Sequence, residues 1–108
     1  MEAARRNMLK RLMAATAAGD HAAAFALRVT FDAELKAAVR RAAAEVGRAL
    51  PSEEVEAVAT DFCTWLIAHA SAWRPDGALP WRWAWAHVTT EVRKNQGYWP
   101  VSAAAPCG

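Results

Sequence analysis

Apolar residues along this chain recur at steps of three and four, the spacing that lines one face of an α-helix, and no stretch alternates as a strand would. Four helices are predicted. The first runs from Glu2 to Ala17 with Arg5, Arg6, Lys10 and Arg11 expected in solvent, and it ends at Gly19-Asp20, where glycine suits a helix end and aspartate caps the next helix. The second and longest runs from His21 to Ala49, with Phe31, Leu35, Val39, Ala42, Val46 and Leu50 on its core face. Leu50-Pro51-Ser52 breaks it, because proline disfavours helix at the residue before it; Ser52 is expected to cap the third helix, whose first turn holds Glu53 and Glu54.

The third helix spans Glu53 to Ala72 and puts Val55, Val58, Phe62, Leu66, His69 and Trp73 on one stripe. Arg74-Pro75-Asp76-Gly77 then reverses the chain. The fourth helix, Trp81 to Asn95, starts behind Pro80 and is expected to stop at Gly97. The fold class that follows is all-α, a compact four-helix domain over residues 1–97, with a flexible C-terminal tail at 98–108.

Five of the six tryptophans lie between Trp73 and Trp99. At 100° per residue, Trp81, Trp85, Val88 and Val92 share one face of the fourth helix and belong to the core. Trp83, His87, Thr90 and Lys94 form a second stripe, flanked by Arg82, Thr89 and Arg93. That stripe combines aromatic and basic groups, which suits base stacking or a protein anchor. The structural alternative is that Trp83 covers the first helix or the segment around Trp99.

Composition narrows the function. The chain is 108 residues long and 55% hydrophobic, much of it alanine, which favours helix and adds little buried area. A net charge of +2 is too mild to establish nucleic-acid binding by itself, although arginine greatly outnumbers lysine, and guanidinium suits phosphate. No apolar run approaches the ~18 residues of a membrane span, and the alanine-diluted N-terminus does not read as a signal peptide, so a cytoplasmic location is expected. Cys63 and Cys107 are too far apart in sequence and too few to imply a disulfide framework, and with His21, His69 and His87 they show no zinc spacing. His69 is expected to be a partly buried structural histidine, and Cys63 a small buried apolar group. No nucleophile, base and orienting group stand at a recognisable spacing, and there is no glycine-rich phosphate loop, so no enzymatic activity and no cofactor are expected.

From Ala18 to Lys94 the chain resembles region 2 of bacterial RNA polymerase sigma factors. Three segments carry the resemblance: Ala18-Gly19-Asp20-His21-Ala22-Ala23-Ala24-Phe25; Pro51-Ser52-Glu53-Glu54-Val55-Glu56-Ala57-Val58-Ala59-Thr60-Asp61-Phe62-Cys63-Thr64-Trp65; and Pro80-Trp81-Arg82-Trp83-Ala84-Trp85-Ala86-His87-Val88. In that family the second is similar to the helix that binds core polymerase, and the third to the helix that opens and reads the promoter minus-ten element. The resemblance implies RNA polymerase core contacts at Glu56 and Asp61, and promoter DNA contacts at Arg82, Trp83, His87, Arg93, Lys94 and the Trp73 to Leu79 turn. Ala59 stands where the family has glutamine, Ala84 where it has tryptophan and Trp85 where it has leucine; no second helix-turn-helix follows. Those departures favour an alternative expectation, a sigma-derived interaction module or transcription regulator that pairs with another transcription protein or with itself.

Overall fold

A computed structural model describes the backbone of residues 1–104 and the side chains of residues 1–94. The element order is α1 (Ala3–Ala17), α2 (His21–Thr30), α3 (Asp32–Glu45), α4 (Ser52–Ala68), a short 3-10 turn (Ala70–Ala72), α5 (Pro80–Trp83) and α6 (Trp85–Ala104). The architecture is all-α. Two of the four expected helices are each divided in two, so six helices stand among the described residues.

Local chemistry sets several boundaries. Gly19 takes a φ of 93°, and the amides of Gly19 and Asp20 return to the carbonyls of Thr16 and Ala15, which satisfies the open carbonyls of α1. The Asp20 carboxylate then accepts the Ala23 amide at 3.1 Å and caps α2. Gly47, with a φ of 77°, ends α3 by the same device, its own amide reaching Ala44 and that of Arg48 reaching Ala43. The second predicted helix therefore stops short of Ala49. Ser52 is the first residue inside α4 rather than its cap; Pro51 holds the capping position and offers no side-chain acceptor.

The division between α2 and α3 at Phe31 has a tertiary cause. Phe31 leaves helical geometry (φ −106°, ψ 25°), and its fully buried ring lies 6.1 Å from that of Trp81. Arg5 Nη2 donates to the Thr30 carbonyl at 2.7 Å, supplying a partner at the end of α2. The same guanidinium donates to Glu34 at 2.6 and 2.9 Å and sits 4.5 Å above the Phe31 ring. Arg5 and Arg6, expected in solvent, thus tie α1 to the rest, Arg6 donating to the Gly77 carbonyl at 2.9 Å.

One core joins the helices, built around Leu9 and Met13 of α1, Leu27, Phe31, Leu35 and Val39, Val55, Phe62 and Leu66 of α4, and Val88 and Val92 of α6. Val46 and Leu50, expected in the second helix's core stripe, lie only partly buried at its edge. Trp73 is buried and its indole donates to the Ala78 carbonyl at 2.8 Å, closing the turn that precedes α5. Ala84 divides the fourth predicted helix (φ −97°, ψ 24°). Across that break Trp81 enters the core, Trp83 faces solvent and Trp85 is half-buried. Gly97 lies inside α6 rather than at its end, since an interior glycine costs a helix only about 1 kcal/mol. Of the tail expected at 98–108, the backbone described as far as Ala104 continues α6; the side chain of Trp99, and all of Cys107, lie outside the described residues.

Candidate aromatic interface

Trp65 organises the most distinctive surface of the fold. Asp61, Trp65 and His69 follow one another at steps of four, beside the Phe62 and Leu66 stripe that enters the core. Trp65 is consequently half-buried, with its ring laid over the edge of the core. His69 stacks on it at 4.2 Å and His87, from α6, at 4.3 Å, both inclined by only 19°. Phe62 packs near both Trp65 and His87, at 6.5 and 6.3 Å, and Trp83 of α5 tilts toward Trp65 at 5.8 Å. Trp83 is 38% exposed.

Between these rings is an open hollow of about 420 Å³ lined by Trp65, Trp83, Ala84, Ala86, His87 and Thr90. Thr90 donates its hydroxyl to the Ala86 carbonyl at 2.9 Å, which leaves its oxygen able to accept. His87 Nε2 lies 3.0 Å from the Glu91 carboxylate, out of hydrogen-bond alignment, and Lys94 Nζ lies 3.7 Å from that carboxylate. The hollow is lined by the indoles of Trp65 and Trp83 and by the His87 imidazole; His69 and His87 already stack on Trp65, so Trp83, 38% exposed, is the ring with surface to offer an incoming flat group.

His69 is exposed, contrary to expectation. α4 ends at Ala68, so His69 leaves the helical stripe (φ −114°, ψ 14°) and Nδ1 donates back to the Trp65 carbonyl at 2.9 Å. A carbonyl can only accept, so that bond places the proton on Nδ1. Sequence reasoning gave neither Trp65, which enters only within the polymerase-helix resemblance, nor His69, expected to be structural, a place in the site; the available signal was the four-residue spacing of Asp61, Trp65 and His69.

The expected nucleic-acid residues divide into two groups. Trp83 and His87 line the aromatic hollow, and Lys94 stands one helical turn beyond Thr90 of its lining. Arg82 instead lines a separate hollow with Arg41, Glu45 and Trp85, and Arg93, exposed, continues the Trp85 and Thr89 side of α6 at four-residue steps. Trp85 reaches Glu45, donating its indole N–H at 3.2 Å, and is less buried than its expected core role required.

The expected partner-binding acids also differ from one another. Asp61 is exposed. Glu56 is engaged by Arg28 and, at 2.8 Å, by Lys36; both cations also pair with Asp32, giving a closed ring of two positive and two negative groups that fastens α2 and α3 to α4. The Lys36 ammonium and Arg28 guanidinium hold the Glu56 carboxyl below the usual carboxylate range, and Arg28 then Lys36 do the same for Asp32. Among the described residues no cluster of histidine, cysteine, aspartate and glutamate gathers in metal-binding geometry, and no helix is long and apolar enough to cross a membrane.

No protein-family model, curated protein or solved structure matches the chain.

Proposed function

We propose that this chain is a sigma-region-2-like transcription protein that contacts RNA polymerase core through the exposed side of α4 around Asp61 and receives an unpaired promoter base on the Trp65 and Trp83 surface. The observation that carries the reading is the solvent-facing aromatic hollow, with exposed Lys94 one helical turn beyond its Thr90 and the exposed Arg74 to Ala78 turn leading into α5. Stacking on such a surface tolerates any base, while the lysine supplies attraction to the phosphate chain. No covalent chemistry is involved. The protein would hold a strand open by occupying one of its bases.

Binding of a minus-ten-like single strand, compared with the same sequence as duplex, tests the proposal. Trp83→Ala should weaken single-strand binding by about 5- to 150-fold, the range of one stacked base; Trp65→Ala, which removes the ring Trp83 leans toward, should weaken it too, and both should spare whatever duplex binding exists. Equal losses on both substrates, or unchanged single-strand binding, would remove stacking from the account. Affinity should also fall as salt rises.

A specific observation favours the second reading, an interaction module that has lost promoter recognition. Glu91 stands beside both His87 and Lys94 and offsets the positive charge a strand would seek, while Trp83 remains a large exposed anchor of the kind that dominates protein interfaces. Under that reading single strands bind weakly, and the same two tryptophan substitutions abolish a tight protein complex, either with another transcription protein or between copies of this chain.

A further inference from the structure

The second hollow, on the other side of α5 from Trp83, has a different chemistry. Its volume is about 270 Å³, and its lining is Arg41 and Glu45 of α3, Arg82 of α5 and Trp85 of α6. Arg5 and Arg28, two of the arginines that join helices elsewhere in the fold, are tied to carboxylates. Arg41 and Arg82 have no carboxylate partner among the described residues, and yet they line one hollow. Both are exposed, and together they give this lining an excess of positive charge that favours an anion. Glu45 does not neutralise the pair completely: the lining carries two guanidinium groups against one carboxylate, and that carboxylate already accepts the Trp85 indole N–H at 3.2 Å.

We propose that this hollow binds a phosphate group, gripped by Arg41 and Arg82. Guanidinium presents paired N–H donors that match two phosphate oxygens at once, and two such groups on different helices fix the anion from two directions. The half-buried Trp85 ring forms a wall against which a ring attached to that phosphate packs. The space suits a phosphate with a small attached group and falls just below the range usual for larger ligands. Two sources present this chemistry, a nucleotide free in solution and a phosphate within a nucleic-acid strand.

Calorimetric titration with inorganic pyrophosphate, a 5′-mononucleotide and a short single strand tests the site on the full chain. Pyrophosphate should bind, and Arg41→Ala or Arg82→Ala should weaken it by about tenfold or more. Arg41→Lys, which keeps the charge and loses the fork, should also weaken it. Glu45→Gln should do the opposite and strengthen binding, because it removes the one carboxylate of the lining among the described residues and retains an acceptor for the Trp85 indole. Trp65→Ala should leave pyrophosphate binding unchanged, so failure of the aromatic surface and failure of this site read out separately. A mononucleotide that binds as tightly as the strand assigns the site to free nucleotides; a strand that binds more tightly, with the same arginine dependence, assigns it to nucleic-acid phosphate. Absence of pyrophosphate binding, arginine variants that bind like wild type, or weakening by Glu45→Gln would overturn the proposal.

Discussion

Phe31 shows how much one side chain decides here. Its ring is fully buried, lies against Trp81 and carries the Arg5 guanidinium on its face, while its backbone marks the bend between α2 and α3. Phe31→Ala is expected to cost about 3–5 kcal/mol in urea unfolding, since the cavity would open beneath two helices at once; a loss under about 1 kcal/mol would mean that the site collapses freely. Cys63 behaves in the opposite way, as a group the fold silences. Burial pushes its thiol up from the ordinary value, so the thiolate is scarce at neutral pH. A thiol reagent should therefore modify Cys63 far more slowly in the native protein than in urea, a difference that mass spectrometry resolves.

The helices illustrate what a sequence discloses and what it withholds. Two boundaries made by residues adjacent in sequence were legible, Gly19 with Asp20 and Pro51, whereas Gly47, which ends α3 by the same local device, lies inside the predicted second helix. The bend at Phe31 was not legible, because the group that completes the end of α2 is Arg5, which lies 25 residues before Thr30. The division at Ala84 was hidden for a related reason: three indoles at alternate positions find three different surroundings, and no single helical stripe expresses that. The same limit divided the candidate site. Trp83, His87 and Lys94 were legible as one stripe, but Arg82 is turned to another hollow, and Trp65 with His69 joined the surface from α4. At this scale the test is Gly47→Ala. No atom lies within 4 Å of the added methyl, so its cost comes from the φ of 77°. It should destabilise the domain by about 1 kcal/mol, seen as a lower urea midpoint with an unchanged slope.

Across the whole molecule, ion pairs join elements distant in sequence. Arg5 with Glu34 fastens α1 to α3, and the ring of Arg28, Asp32, Lys36 and Glu56 fastens α2 and α3 to α4. The Glu34 carboxyl, held by its hydrogen bonds from Arg5, joins Asp32 and Glu56 below the usual carboxylate range. A carboxyl with a depressed folded-state pKa contributes stability above its unfolded value and loses it as pH falls through the folded one. Unfolding midpoints should hold near neutrality and decline below about pH 4, with added salt narrowing the difference. A midpoint that rises on acidification would contradict this. The ring also separates the two acids of α4 in function: reversing Glu56 disturbs the attachment of α2 and α3, whereas Asp61 can be reversed on the surface.

Asp61→Lys is therefore the variant with which to measure binding to purified bacterial core RNA polymerase. Wild type should bind, and Asp61→Lys, with an unchanged unfolding midpoint, should bind at least about fivefold more weakly, as loss of one interfacial charge contact implies. No detectable binding by the wild-type chain would contradict the account and leave the aromatic surface to a different partner.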